Sequence, residues 1–191
     1  MTVAGTCATL SVATVAGAQV PTISGAKLVV IKGTGGEGGK TVFVSRHPWI
    51  ALPYSVSEPL YLEVFVPTPT PEDPGWSDNK FSTGAGVPSY WRYRRKPREA
   101  YRYTFPDSEP EPVHRTTKVV IKETANGRYI RWEANFSGLN MRKRLGTVGV
   151  RLTYGLHGLR LCALFGPDTV IEDRPGRFIA KGAPAGEICY G

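Results

Sequence analysis

The fold of this chain is decided by residues 117–136, TKVVIKETANGRYIRWEANF, which read as two strands joined by a tight turn. On the return strand, apolar residues from Ile130 to Phe136 alternate with polar ones, a period typical of a strand with one buried face and one solvated face. The turn is placed at Asn126-Gly127, because both residue types accept the positive φ that a tight hairpin turn demands. The stretch therefore predicts an antiparallel hairpin.

Similar short runs recur along the chain. Apolar or alternating segments occupy residues 27–32, 41–45, 60–66, 148–154, 159–165 and 177–180. Most of the 22 glycines and 16 prolines fall between these runs, which indicates many turns, and no segment has the pattern of a long helix. Pro67, Pro69 and Pro71 cannot donate to a sheet ladder, so residues 67–90 are expected to form one long Pro-rich loop. We predict an all-β fold: a single antiparallel β-sandwich or jelly-roll-like domain over residues 26–191.

Length and composition fit this prediction. A chain of 191 residues is long enough to bury one sizeable core. Its 41% hydrophobic and 21% charged content is ordinary for a folded protein. No apolar run approaches the roughly 18 residues that a membrane helix needs, so no membrane span is expected.

The N-terminal segment leaves two interpretations open. Residues 1–18 carry no charged side chain and end in Ala16-Gly17-Ala18, which matches a signal-peptidase site. A basic region before the apolar stretch is missing. Residues 1–18 are therefore either a signal peptide with a truncated start or an N-terminal arm of the domain.

The cysteines depend on that choice. Cleavage after Ala18 removes Cys7 and leaves Cys162 and Cys189, and an even pair in an exported protein favours a disulfide. Such a bridge would stabilise the fold by roughly 3.5 kcal/mol in the chain-entropy model. The alternative is two reduced, buried thiols in a cytosolic protein.

The net charge of +8 is concentrated in a basic-aromatic stretch, residues 91–103. Its cations are Arg92, Arg94, Arg95, Lys96, Arg98 and Arg102, and its aromatic residues are Trp91, Tyr93, Tyr101 and Tyr103. Cations beside aromatic planes suit a polyanion such as a nucleic acid or an acidic polysaccharide. Two other interpretations stay open: an interface with acidic loops of a second copy, or a solvated strand pair with its aromatic residues inward. A second basic cluster is Arg142-Lys143-Arg144.

No pattern predicts catalysis or a cofactor. Gly39-Lys40-Thr41 copies the end of a phosphate-binding loop, but Thr34 replaces the first glycine of that motif and a β-branched run follows it. Ser45 and His47 share a strand face without a base-and-nucleophile arrangement, and hydrolase is kept only as the weakest class. His47, His114 and His157 are scattered, so no metal site is expected.

Three stretches resemble a recurrent module of exported proteins from high-GC, myxobacterial-type bacteria. They are residues 28–32, 117–122 and 160–166, followed by a closing pattern of Pro175-Gly176, Phe178-Ile179-Ala180-Lys181, Ala183-Pro184-Ala185 and Cys189. The likeness is specific only after Arg160. Similar modules often carry a further cysteine pair around the central hairpin, and this chain lacks it. The resemblance implies export and a Cys162–Cys189 bridge, and it implies no activity.

The expected function is that of an exported, non-catalytic structural or interaction module, secreted or at the cell surface, that acts through its surface. The alternative is a polyanion-binding protein that uses residues 91–103: a protein that binds nucleic acid or acidic polysaccharide or, if it assembles, a capsid-like shell subunit. Expected partners are other copies of the chain or an acidic polymer, without a small-molecule cofactor.

Overall fold

In the computed structural model, two antiparallel sheets pack face to face. The structure describes residues 21–33, 39–50, 59–67, 79–86, 88–95, 99–105, 116–135, 137–155 and 158–185. The predicted all-β sandwich is confirmed. Helical structure in these ranges is limited to short 3₁₀ turns at Pro88–Tyr90 and Pro167–Thr169. None of the described helices is long and apolar enough to span a bilayer.

Twelve strands make up the described part of the fold. In chain order they are β1 Gly25–Lys32, β2 Gly39–His47, β3 Leu60–Phe65, β4 Lys80–Ala85, β5 Trp91–Arg94, β6 Ala100–Thr104, β7 Thr116–Thr124, β8 Gly127–Ala134, β9 Val148–Tyr154, β10 Arg160–Phe165, β11 Val170–Arg174 and β12 Arg177–Ala183. The large sheet has the order β11-β12-β1-β2-β8-β7-β6-β5, and the small sheet has the order β10-β9-β3-β4.

The core lies between the two sheets and is continuous. Phe43 and Trp132 of the large sheet are fully buried, as are Leu62 and Leu152 of the small sheet. The Trp132 indole N–H donates to the Thr83 hydroxyl at 2.9 Å, which links the sheets through a buried polar contact. Inward apolar residues on alternate positions of most strands therefore build this core, as the period-two pattern predicts.

The deciding hairpin forms, but its turn lies one residue earlier than predicted. Thr124 pairs with Gly127, so the loop residues are Ala125 and Asn126. Gly127 has a φ of +99°, and every positive φ in the described residues belongs to a glycine. The turn is therefore made of two loop residues followed by one glycine with a positive φ. The prediction that Asn126 and Gly127 form the turn was wrong.

Two strands escape the sequence patterns. β4 lies within residues 67–90, which were expected to form a loop. Phe81, Thr83 and Ala85 point into the core, but the residues between them are too small and polar for the sequence to indicate a strand. β11 lies outside the runs that predict strands, yet it pairs with β12 around Pro175-Gly176. The predicted loop over residues 67–90 is therefore shorter than expected, and its residues 68–78 lie outside the described part of the chain.

The outer face of the small sheet carries a second, smaller cluster of buried residues, made of Phe65 and Cys162 with Leu164 packed against them. Residues 21–23 run parallel to β10 at this point, with the Ile23 N–H donating to the Cys162 carbonyl at 2.6 Å. Cys162 is disulfide-bonded. Cys7 and Cys189 both lie outside the described residues, as do residues 1–18, so the Cys162–Cys189 pairing stays a prediction.

Candidate cationic binding surface

Two aromatic residues of the basic-aromatic stretch hold the β5–β6 hairpin to the core. Trp91 is 4% exposed and Tyr103 is 1% exposed, and their ring centroids lie 5.3 Å apart. The Trp91 indole N–H donates to the Ala85 carbonyl at 3.3 Å. Both rings therefore belong to the core, which corrects the expectation that they offer stacking planes to a partner.

Alternation then turns the arginines of the hairpin to the outer face of the large sheet. Arg92 pairs with Arg102 across the β5–β6 ladder, and Arg94 pairs with Ala100. The neighbouring strand β7 adds Val120 opposite Arg102 and Lys122 opposite Ala100. A groove of about 450 Å³ opens on this face, lined by Arg92, Tyr93, Arg94, Ala100, Arg102, Val120 and Lys122.

The groove is strongly cationic. The Arg92 guanidinium is oriented by backbone oxygens, those of Ser89 at 2.8 Å and of Trp91 at 3.3 Å. Within the described part of the chain, no carboxylate forms a salt bridge with Arg92, Arg102 or Lys122. Like charges directly opposite on adjacent strands are unfavourable, so the Arg92–Arg102 pair is a local excess of positive charge that an anion would relieve.

Tyr93 and Tyr101 pair on the ladder between the arginines, so their side chains alternate to the other face of the hairpin, although Tyr93 also contributes to the groove lining. Their ring centroids lie 4.8 Å apart, and Tyr93 is 47% exposed. The Tyr93 hydroxyl donates to the Glu99 carboxylate at 3.0 Å. Partial burial and this carboxylate raise the pKa of Tyr93, so the phenol is a neutral donor at physiological pH.

The remaining cations predicted from sequence are not all at the groove. Arg95 is exposed at the end of β5, while Lys96 and Arg98 lie outside the described residues. The exposed Arg142-Lys143-Arg144 cluster lies in the loop between β8 and β9. The Asp173 carboxylate holds that loop by accepting hydrogen bonds from two successive backbone N–H groups.

Sequence reasoning missed the contribution of β7 to the groove. Val120 and Lys122 reach it only because β7 pairs with β6 in a particular register. The alternation of apolar and basic residues in residues 118–122 showed which residues face outward. It carried no information on which strand lies beside them.

The serine and histidine of β2 are engaged separately. The Ser45 hydroxyl donates to the Ser24 carbonyl, and the His47 Nδ1 accepts the Trp49 backbone N–H at 3.3 Å. Partial burial lowers the pKa of His47. His114 and His157 lie outside the described residues, and in the described ranges no three His, Cys, Asp or Glu side chains come together as a metal site would require.

Comparison with known protein families, with curated proteins and with solved structures gives no match to this chain. The resemblance to an exported bacterial module therefore stays a prediction, and the geometry of the groove is the basis for a function.

Proposed function

We propose that the protein is a non-catalytic binding module that holds a polyanion in the groove on the outer face of β5, β6 and β7. The observation that carries the proposal is the directly opposed pair Arg92 and Arg102, flanked by Arg94 and Lys122 in one groove. A guanidinium binds a carboxylate, sulfate or phosphate through two parallel hydrogen bonds. Two such groups side by side suit a ligand that presents several anionic groups in sequence.

The groove lining supports binding rather than chemistry. The described residues of its lining are cations, one tyrosine and small or apolar side chains, and none of these offers a carboxylate, imidazole or thiol to act as a base or nucleophile. The same proposal places the module outside the cell, secreted or at the cell surface, as its resemblance to exported modules implies.

The test uses two double variants that each remove two positive charges. Arg92→Gln/Arg102→Gln changes the groove, and the matched control Lys80→Gln/Arg160→Gln changes the outer face of the small sheet, on the opposite side of the sandwich. Fluorescently labelled dextran sulfate and labelled poly(dT) are titrated at several salt concentrations. The groove variant should bind more weakly and lower the slope of log K against log[salt], by about 0.7–0.9 per lost contact if the rule for nucleic acids applies.

Equal losses in the two variants would show that net charge alone attracts the probe, and unchanged binding in the groove variant would refute the site. Sedimentation of the unliganded wild type covers the other partner class. Salt-sensitive self-association that disappears in the groove variant would make a second copy of the chain the partner instead of a free polymer.

A further inference from the structure

The cations of the groove continue across almost the whole large sheet. Following the paired residues from β5 to β12 gives one row perpendicular to the strands: Arg92, Arg102, Val120, Arg131, Val44, Lys27 and Lys181. Directly paired residues point to the same face of a sheet. Seven strands at a spacing of about 4.8 Å make this row about 29 Å long.

A second row lies beside the first, two residues further along each strand: Arg94, Ala100, Lys122, Tyr129 and Arg46. We call the two rows together the basic band. On the other side of the first row, the next row holds Lys118, Glu133 and Glu172. Glu133 forms an ion pair with Arg131 of the first row, and Glu172 forms one with Arg177, so carboxylates compensate positive charge on this side of the band.

In the second row and in the middle of the first row, cations alternate with uncharged residues, whereas both ends of the first row carry two cations on neighbouring strands. In the second row Arg94, Lys122 and Arg46 are separated by Ala100 and Tyr129, and in the first row Arg102, Arg131 and Lys27 are separated by valines. Where a cation occupies every second strand, the charge spacing is about 10 Å. This spacing suits a polymer with one anionic group on every second unit, whereas duplex DNA presents one charge per about 1.7 Å.

The aromatic residues also favour a polymer without bases. Among the described residues, Tyr129 is the only aromatic residue in the band. Its ring centroid lies 5.0 Å from the Lys122 ammonium and 5.7 Å from the Arg46 guanidinium, so its face is occupied by cations. Single-stranded nucleic acids depend on aromatic platforms for their bases, and reading a duplex needs an element narrow enough for a groove of about 12 Å.

We infer that the basic band binds a linear acidic polysaccharide whose chain runs perpendicular to the strands, from β5 to β12. This inference rests on the proposed function and extends it, because it assigns the ligand class and its direction. It requires that Lys27 and Lys181, at the far end of the first row, contact the same ligand as Arg92 and Arg102.

Hyaluronan oligosaccharides of increasing length are the probe, since their carboxylates occur on alternate sugars. Affinity measured by calorimetry should rise with length until the ligand spans the band and then level off. Lys27→Gln/Lys181→Gln should weaken binding of long oligosaccharides about fivefold, as expected for two exposed ion pairs. The same variant should bind short ones like wild type. Lys80→Gln/Arg160→Gln is the matched control, and thermal melts confirm that every variant folds.

The outcomes separate the inference from the function beneath it. If the groove variant loses binding and the Lys27/Lys181 variant does not, the band is confined to the groove and the inference is wrong. If oligo(dT) of equal charge binds more tightly than hyaluronan and with the same variant dependence, the ligand is a nucleic acid and the polysaccharide is excluded. If neither double variant differs from the control, the proposed function itself fails.

Discussion

Arg102→Glu should make the protein more stable and, at the same time, abolish polyanion binding. Arg102 lies directly opposite Arg92 on the β5–β6 ladder, and among the described carboxylates none pairs with either side chain. Cross-strand charge pairs contribute about 0.2–1 kcal/mol, favourable for opposite charges and unfavourable for like charges. Replacing a repulsion of about 0.5 kcal/mol with an attraction of similar size predicts a gain of about 1 kcal/mol.

Urea unfolding followed by circular dichroism measures this gain, and thermal melting should show a rise of about 2–4 °C for a domain of this size. Arg102→Gln removes the repulsion alone, so it should give about half the gain. Both gains should shrink in high salt, because the screening length falls from about 10 Å at 0.1 M to about 3 Å at 1 M. Arg92→Glu/Arg102→Glu restores a like-charge pair and should lose the gain.

A loss of stability in Arg102→Glu, persisting in high salt, would refute the reasoning. It would show that the Arg102 guanidinium has a favourable partner in the folded protein, so that the groove holds no excess positive charge for a ligand to relieve. If Arg102→Glu is more stable but binds the polyanion as tightly as wild type, the Arg92–Arg102 repulsion exists but the ligand binds elsewhere on the protein.

Three further predictions concern the scaffold. Gly149→Ala should destabilise the fold by about 1–3 kcal/mol, because the new Cβ would lie 2.3 Å from the Phe65 ring. Gly166→Ala is the control: no atom lies within 4 Å of its Cβ, so it should be near neutral in the same urea unfolding experiment. Asp173→Ala should cost roughly 1–3 kcal/mol, because the carboxylate accepts the Leu145 and Gly146 N–H groups, and an equal effect from Asp168→Ala at an exposed position would contradict that assignment. The pKa of His47 is lowered in the folded protein, so as the pH falls the unfolded chain binds a proton before the folded protein does, and the free energy of unfolding decreases below about pH 6.5. Unfolding free energies measured at neutral and mildly acidic pH should decrease less in His47→Gln than in wild type. An identical decrease in both proteins would contradict this role for His47.

Much of the local structure can be read from the chain. The alternation in residues 117–136 predicts the β7–β8 hairpin, and the runs at residues 27–32, 41–45 and 148–154 all become strands. Their signal is local, because a strand with one buried face must place apolar side chains on every second residue. β4 gave no such signal, since a strand of small and polar residues is built by its neighbours rather than by its own pattern.

The candidate site, too, could be predicted only in part from the sequence. Alternation allowed Arg92, Arg94 and Arg102 to face outward with Trp91 and Tyr103 inward, and the structure has this arrangement. It did not show that Lys122 lies beside the hairpin.

The sequence alone determined that the protein is a β-sandwich with a basic-aromatic segment, because strand periodicity and composition are properties of neighbouring residues. Only the tertiary structure decided that Arg102, Arg131, Lys27 and Lys181, distant along the chain, form one row. The order and register of paired strands come from contacts between distant segments, and a shift of one residue in any ladder would turn the cations of that strand into the core.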